Sequence, residues 1–416
     1  MADAEPQPVR HKTPRPPHVP EALVREIDMY GPDGIEAGYH EAWRAMQRPD
    51  MPELAWTPFT GGHWVATRGE LVKEIYGDPS RFSSEVIFLP KEAGEKYLMV
   101  PTRMDPPEHT PYRDTLDKGL NLTQMQRVET KVRAVAAELV DAIAPLGACE
   151  FSEAYARIFP VKVFMLLCDL PLADVPMLIK FAEQMTRPDG ATPDEMAASL
   201  EAAQAGFDRY VEPVINARRG GTGDDLITVM VNNDINGQPI SQERAIGLIS
   251  LLLLGGLDTV VNFLSFMFVH LARHPEIVAE LRSDPLLLAR RAEEMFRRFP
   301  VVAEARMVAK DLTYRGVDLK HGDMILIPTA MHGLDESENT DAMTLDLNRK
   351  RIVHSTFGGG PHKCAGMHLA RMEVVITLEE WLKRIPEFRM KPGSAPSYRS
   401  GIIAAVDDVS LEWEPA

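Results

Sequence analysis

This chain has few cysteines, fewer basic than acidic residues and no apolar run near its N-terminus, and each of these features argues against a class of protein. The three cysteines among 416 residues, Cys149, Cys168 and Cys364, are far apart and odd in number, so they suggest neither a disulfide framework nor a zinc site. They fit a reducing compartment, and we expect a cytoplasmic protein. The net charge of −16 argues against a nucleic-acid partner. The first 20 residues are polar and proline-rich without an apolar signal core, so we expect no secretion and an extended N-terminal arm over residues 1–16.

The composition that remains is that of an ordinary soluble globular protein. Hydrophobic residues make up 45% of the chain and charged residues 25%, which is ample for a deep core. Helical spacing covers residues 128–144, 164–185 and 193–217, and short strands are predicted at 61–67, 311–328 and 400–404. Neither an internal repeat nor a domain boundary is visible. The sequence therefore predicts a mainly α fold with minor β structure.

The longest apolar stretch, residues 249–269, carries a single formal charge and by length alone could span a membrane. Its centre, however, reads Gly255-Gly-Leu-Asp-Thr259, and an aspartate at the middle of a bilayer costs several kcal/mol. We therefore expect no membrane contact and a helix that crosses the middle of a soluble domain. The glycine pair permits a widened turn that could hold a diatomic ligand, with Asp258 and Thr259 beside it to deliver protons. The alternative for Thr259 is a hydrogen bond back to a carbonyl of its own helix.

A glycine-rich loop surrounds the last cysteine. Residues 355–367 read Ser-Thr-Phe-Gly-Gly-Gly-Pro-His-Lys-Cys-Ala-Gly-Met, and the glycines let the backbone approach something bulky. Cys364 precedes the apolar segment 367–382, so it lies near a helix N-terminus, where free N–H groups stabilise a thiolate. A single thiolate below a flat surface suits haem iron. The alternative is a buried structural cysteine.

The loop matches the pattern Phe-x-x-Gly-x-His-x-Cys-x-Gly at Phe357, Gly360, His362, Cys364 and Gly366, which resembles the haem-binding loop of the cytochrome P450 family. The resemblance extends from about Pro17 to Trp413, and within the family it is greatest to bacterial camphor hydroxylases. It implies a single domain over residues 17–416, with a long central helix over haem b. It also implies a monomer that hydroxylates an unactivated C–H bond of a small hydrophobic ketone, camphor at its 5-exo position, using O2. The two electrons would come from a [2Fe–2S] ferredoxin and its NADH-dependent reductase.

The resemblance also implies roles for individual residues. Haem contacts are expected at Cys364, His109, Arg113, Arg306, His362, Phe357 and Gly255. Asp258 and Thr259 match the proton-delivering acid and alcohol of the distal helix, and Glu294, Arg297 and Arg349 match a network that supports the cysteine loop. The substrate pocket is expected at Phe88, Tyr97, Met99, Thr102, Thr186, Leu251, Leu254, Val302, Ile402 and Ile403. A K+ ion near the Tyr97 hydroxyl is expected at Glu85, Gly94, Glu95 and Tyr97.

Some positions depart from the camphor hydroxylase pattern, and other functions stay open. Leu254 and Met99 alter the pocket, Ile179 stands where a lysine would hold the relay aspartate, and Ala365 replaces a leucine after the cysteine. Basic residues before and within the loop predict a surface for an acidic redox partner: Arg349, Lys350, Arg351, His354 and Lys363. The alternatives are the same chemistry on another monoterpenoid or small apolar ring compound, a peroxide-driven haem-thiolate enzyme, and a non-enzymatic haem gas sensor.

Overall fold

The computed structural model describes residues 11–94, 99–186, 189–190 and 193–415. Its helices are, in chain order, α1 Tyr39–Ala45, α2 Gly69–Gly77, α3 Lys91–Gly94, α4 His109–Leu120, α5 Leu122–Ile143, α6 Ile158–Leu167, α7 Val175–Thr186, α8 Pro193–Arg218, α9 Leu226–Val231, α10 Gln242–Arg273, α11 Pro275–Ser283, α12 Leu288–Arg298, α13 Ala330–Gly333 and α14 Met367–Arg384. The predicted mainly α fold with minor β structure is confirmed.

The strands form small sheets at the edges of the helical body. They are β1 Leu54–Thr57, β2 His63–Ala66, β3 Phe82–Ser83, β4 Ala148–Glu150, β5 Asp234–Ile235, β6 Gln238–Pro239, β7 Ala303–Val308, β8 Leu312–Tyr314, β9 Val317–Leu319, β10 Met324–Pro328, β11 Arg389–Met390, β12 Ser397–Arg399, β13 Ala405–Asp407 and β14 Ser410–Glu412. The largest sheet has the order β1-β2-β10-β7-β3. In it β7 and β10 run antiparallel with Arg306 opposite Ile325, which fixes the face of the sheet on which Arg306 lies.

Helix α10 is the central helix of the fold. It begins where the Ser241 side chain accepts a hydrogen bond from the Arg244 amide at 3.2 Å, and it packs against α6 and α8. Among the described residues it is the one helix long and apolar enough to cross a membrane, and half of its most apolar stretch is buried inside the protein. Its polar side chains Ser250, Asn262 and Ser265 are buried too, and Ser265 lies 3.1 Å from the Ser152 hydroxyl, Oγ to Oγ. These contacts make α10 a core helix, as predicted.

Two predicted elements differ from the structure. The helical pattern over 164–185 is two helices, because α6 ends at Leu167, Asp169 adopts a left-handed φ of 50° and Pro171 cannot continue the helix. Residues 400–404, predicted as a strand, connect β12 to β13 instead and form only an isolated bridge between Ile403 and Val302.

Aromatic contacts join α10 to the cysteine loop. The Phe263 ring of α10 stacks on Phe296 of α12 at 4.5 Å between centroids, and Phe296 contacts Phe357 at 4.8 Å. On the other side of Phe357 lies the Arg371 guanidinium of α14, 4.6 Å from the ring centroid. The cysteine loop therefore lies between α12 and α14, and the Phe296 ring separates it from α10.

Candidate functional site

The cysteine loop is held by its own backbone. The Cys364 amide donates to the Phe357 carbonyl and the Gly358 amide donates to the Ser355 carbonyl, each at 2.8 Å. Gly360 has a φ of 59°, and a Cβ there would lie 2.2 Å from the carbonyl oxygen of Tyr76. Only glycine can occupy this position, because any other residue would collide with the backbone of α2. The pattern glycine of the motif is therefore required by the fold of the loop.

Cys364 presents its thiol to open space rather than to the core. Its side chain is exposed, whereas Cys168 is buried and Cys149 is half-buried. Desolvation by the surrounding protein raises the pKa of the Cys364 thiol, although a hydrogen bond from the Gly366 amide opposes this effect. The helix end alone thus does not give a thiolate at this position. A metal ion at the sulfur would, because a coordinating thiol is deprotonated by the charge of the ion.

Two histidines and two arginines gather beside the loop. His109 of α4 lies 4.3 Å from His362, centroid to centroid, and Arg306 of β7 is buried and donates to the Glu304 carboxylate at 3.1 Å. Burial, with the charges of Arg306, His109 and Arg113 after it, lowers the pKa of His362 to about 3. The Nε2 atom of His362 is buried without a hydrogen-bond partner in the described structure. An orphaned nitrogen among cations suits an anionic group such as a haem propionate.

Arg113 lies on the same face of α4 as His109, as predicted, but it contacts the loop itself. Its guanidinium donates to the Pro361 carbonyl at 3.0 Å, to the Lys363 carbonyl and to the Asp117 carboxylate at 2.8 Å. In this structure Arg113 therefore fixes the backbone just before Cys364.

The middle of α10 borders an open space. Gly255 is exposed although it lies halfway along a core helix, and a Cβ at Gly255 or Gly256 would meet no atom within 4 Å. The helix remains α-helical through both glycines, so the predicted widened turn is not formed in this structure. The open space at Gly255 and the exposed thiol of Cys364 are each compatible with the haem that the resemblance implies.

Asp258 and Thr259 follow these glycines. The Thr259 hydroxyl donates to the Gly255 carbonyl at 2.8 Å, which is the back-bond considered as the alternative. Its oxygen keeps lone pairs that can accept a proton, so the back-bond leaves a relay open. Asp258 accepts a hydrogen bond from the Asn262 amide at 3.0 Å and lines a cleft of ≈ 470 Å³ that opens to solvent. Asp258 thus borders the cleft, and Thr259 is bonded to the carbonyl of Gly255.

The predicted contacts among Glu294, Arg297 and Arg349 are formed, with Glu294 and Arg297 buried and Arg349 partly buried. The Glu294 carboxylate accepts two hydrogen bonds of 2.7 Å from Arg297 and one of 3.0 Å from Arg349. The two arginines also donate to carbonyls at Gly333, Thr340, Asp341, Ala342 and Thr344. The network thus holds the segment before the cysteine loop, and the loop is joined to it through the Thr356 hydroxyl, which donates to the Phe296 carbonyl at 2.7 Å.

The described part of the predicted substrate pocket is partly buried throughout. It comprises Phe88, Met99, Thr102, Leu251, Leu254, Val302, Ile402 and Ile403. Backbone bonds join two of its segments, since the Ala303 amide donates to the Ile402 carbonyl at 2.9 Å and the Ala404 amide to the Val301 carbonyl at 2.8 Å. Thr186 ends α7. Tyr97 lies outside the described residues.

Only part of the predicted K+ site lies within the described residues. The carbonyl of Glu85 accepts a hydrogen bond from Arg103 Nε at 2.6 Å, and Gly94 ends α3. Glu95 and Tyr97 lie outside the described residues. The K+ site therefore stays a prediction.

Sequence reasoning missed some contacts and misjudged others. Arg371 covers Phe357 and pairs with Glu293, and its place seven residues after Cys364 on a helix could have indicated this. The predicted basic surface is smaller than expected, because Arg349 is occupied by Glu294 and His354 is shielded near Glu293. Its exposed members are Lys350, Arg351 and Lys363.

Comparison with known proteins gives consistent matches. A family profile described as Cytochrome P450 matches residues 191–398. The Probable cytochrome P450 127A1 of Sinorhizobium fredii is 31% identical over 408 residues, covering 96% of this chain and 97% of that protein. Linalool 8-monooxygenase of Pseudomonas putida is 28% identical, covering 90% of this chain and 96% of that protein. The crystal structure of CYP101J2 superposes with a TM-score of 0.89 at 40% identity, covering 97% of this chain and 100% of that one.

Proposed function

The chain belongs to the cytochrome P450 family, whose members are haem b-dependent monooxygenases, and on that premise we propose that it hydroxylates an unactivated C–H bond of a small terpenoid ketone. Camphor, attacked at its 5-exo position, is the first candidate. The observation that supports the proposal is the exposed thiol of Cys364 in a chain whose central helix leaves open space at Gly255. Two electrons come from a [2Fe–2S] ferredoxin and its NADH-dependent reductase.

Haem, when bound, supplies the activation of dioxygen, and the residues of this chain hold it. Cys364 Sγ would ligate the iron, and the Gly366 amide donates to this sulfur. His109, Arg113, Arg306 and His362 lie where charge-assisted hydrogen bonds to the propionates would form.

Asp258 and Thr259 transfer protons in this proposal. Asp258 faces the solvent cleft and Thr259 points to the Gly255 carbonyl, so protons taken up at the carboxylate leave through the hydroxyl toward the open space at Gly255. Gly255 leaves room there because it carries no side chain.

Apolar residues determine how tightly the substrate binds. Burying on the order of 300 Å² of a small terpenoid contributes up to about 7 kcal/mol. A hydrogen bond from the Tyr97 hydroxyl to a ketone adds only about 1 kcal/mol, so its role is to orient the substrate. The likeness to CYP101J2 supports the camphor-hydroxylase class, whereas the relative named for its action on linalool supports another monoterpenoid as the second candidate.

The remaining features of the proposal follow the same class. The exposed Lys350, Arg351 and Lys363 form the surface for an acidic ferredoxin on the cysteine side. We place the protein in the cytoplasm as a monomer, with residues 17–416 as one domain and residues 1–16 as an arm. A K+ ion at Glu85, Gly94, Glu95 and Tyr97 belongs to the proposal as well.

The test uses the haem-loaded protein and two cysteine variants. Cys364→Ser is expected to abolish the thiolate-type spectrum of the reduced carbon-monoxide complex, whereas Cys149→Ser, the control, keeps it. A thiolate spectrum that survives in Cys364→Ser would show that Cys364 is not the iron ligand. Camphor added to the ferric protein is expected to shift the spin state. Steady product formation with ferredoxin and reductase excludes a gas sensor, and binding without turnover would favour one.

A further inference from the structure

A second cleft borders the last turns of α10. Its volume is ≈ 460 Å³, and its walls come from α1, α10, α11, α12, β12 and the segment 343–345. None of the described residues that line it belongs to the predicted haem contacts or to the predicted substrate pocket. Small-molecule sites in proteins have volumes of this order, so the cleft is large enough for a ligand of its own.

One part of the lining is apolar. The Phe266 ring stacks on the Tyr398 ring at 6.0 Å between centroids, and the Phe299 ring lies 5.1 Å from that of His270. The other apolar side chains on the lining are Val269, Ile277, Met343 and Leu345. A hydrocarbon group in the cleft would bury apolar surface against these side chains, which favours its binding.

Arg298 is a buried cation on the same lining. Only 5% of its surface is exposed, and it donates from Nε to the Met343 carbonyl at 2.7 Å and from Nη2 to the Glu41 carboxylate at 3.1 Å. Its Nη1 atom is buried too, and no hydrogen-bond partner for it is found among the described residues. Because a buried guanidinium N–H is rarely left without an acceptor, this nitrogen calls for a bound water or anion.

Arg273 and His270 add further donors to the cleft. Arg273 Nη1 donates to the Tyr398 hydroxyl at 3.2 Å, and Arg273 forms no ion pair with a carboxylate in the described part of the chain. That hydroxyl keeps its own proton to donate. Burial, and after it the charges of Arg298, His274 and Arg273, lowers the pKa of His270 to about 3. The His270 imidazole is therefore neutral and offers one N–H among these groups.

Two carboxylates also border the cleft, but each already has a partner. Glu41 accepts from Arg298, and Glu276 lies 3.0 Å from Nδ1 of His274. The two glutamates formally balance Arg273 and Arg298. The groups left open are therefore N–H and O–H donors, which suit an anionic ligand rather than a cation.

We propose that this cleft binds a small amphipathic carboxylate, with its charged end at Arg273 and Arg298 and its hydrocarbon part against Phe266 and Phe299. Charge-assisted hydrogen bonds from the guanidinium groups hold the carboxylate, and the Tyr398 hydroxyl donates to it. A hydrophilic anion such as inorganic phosphate meets the same donors but leaves the apolar wall unused. The site adds a ligand to those of the proposed reaction and does not depend on that reaction.

Calorimetric titration of octanoate into the haem-loaded protein tests the site, with 4-phenylimidazole on the haem iron to fill the substrate side. One octanoate should bind per chain. Arg273→Gln should weaken its binding by about tenfold, because a charge-assisted hydrogen bond is lost, and Tyr398→Phe by about threefold, because that hydroxyl is uncharged. The control, Arg282→Gln, removes an exposed arginine of α11 that does not line the cleft and should leave the affinity unchanged. Absence of binding, or equal binding by the wild type and Arg273→Gln, overturns the proposal.

Two matched probes test the class of ligand. 1-Octanol has the same hydrocarbon chain without the charge, and inorganic phosphate has the charge without the chain, so both should bind more weakly than octanoate. Octanol that binds as tightly as octanoate in the same titration overturns recognition of the charge. Phosphate that binds as tightly overturns the role of the apolar wall.

NMR of the diamagnetic reduced carbon-monoxide form tests the location. The His270 ring resonance, identified by its loss in His270→Gln, should move when octanoate is added. The His18 resonance should stay unchanged, because His18 pairs with Asp323 and does not line the cleft. Octanoate that binds without moving the His270 resonance lies elsewhere on the protein, and that result overturns the site.

Discussion

Replacing Glu294 by glutamine tests whether the buried network supports the fold. The side chain is almost fully buried, and its carboxylate neutralises two arginines, Arg297 and Arg349. Glu294→Gln keeps the shape but leaves both guanidinium groups without their negative partner. It also puts an amide that can donate hydrogen bonds where only an acceptor is suitable, next to the Asp346 amide at 3.1 Å.

The expected loss follows from burial. Breaking a buried pair by removing one charge costs about 3–5 kcal/mol, because the remaining charge is uncompensated. Since a domain is stable by only about 5–15 kcal/mol, this single change would remove between about a fifth and nearly all of the total. Arg297 carries most of the penalty, because it is fully buried and its other bonds are to neutral carbonyls.

Urea unfolding of the haem-loaded protein, followed by far-ultraviolet circular dichroism, measures this loss. Arg351→Gln is the control, because it removes an exposed pair with Glu338 and should cost less than about 1 kcal/mol. A free energy of unfolding for Glu294→Gln within about 1 kcal/mol of the wild type would refute the idea that the network stabilises the segment before the cysteine loop.

Three further predictions concern single positions. Gly255→Ala should raise the free energy of unfolding by up to about 1 kcal/mol, because alanine has the higher helix propensity and its methyl group would meet no atom. The same methyl group should lower turnover by filling the space next to the helix. Unchanged turnover would show that the reaction does not use this space. Thr259→Ala should consume NADH with mostly peroxide as product, and unchanged coupling would count against a relay. Burial raises the pKa of Glu373 to about 8 from 4.5, so the folded protein keeps a proton that the unfolded chain releases. Stability should therefore fall by up to about 3 kcal/mol between about pH 5 and pH 7, and Glu373→Gln should remove that slope in unfolding experiments.

Local patterns predicted the elements that local physics determines. The apolar stretch 249–269 lies inside α10, and Cys364 directly precedes α14, because periodicity and helix ends are written in neighbouring residues. The break between α6 and α7 was also readable, since Asp169 and Pro171 stand there, but the apolar spacing on both sides hid it. The network of Glu294 and its arginines was predictable only through the family resemblance.

Contacts between distant segments could not be predicted in this way. Residues 400–404 do not form a strand because remote groups hold them. The Ser400 hydroxyl donates to the Met29 carbonyl, Ile403 forms an isolated bridge with Val302, and the Ala404 amide donates to the Val301 carbonyl. The basic surface was overestimated for the same reason, because the acidic residue that shields His354 is about 60 residues away in the chain. The clefts and the ion pair of Arg399 with Asp407 had no signature in the sequence.

The β12–β13 hairpin has a consequence for engineering and for evolution. Its connecting residues include Ile402 and Ile403, which belong to the predicted substrate pocket, and its two strands carry Arg399 and Asp407. Ile402 and Ile403, which are predicted to line the pocket, therefore lie between two strands that Arg399 and Asp407 join by two hydrogen bonds. Library substitutions at Ile402 or Ile403 that reshape the predicted pocket also strain these strands, so variants selected for a new substrate should often lose stability. Selection that scores stability as well as product would retain the variants in which the hairpin stays intact.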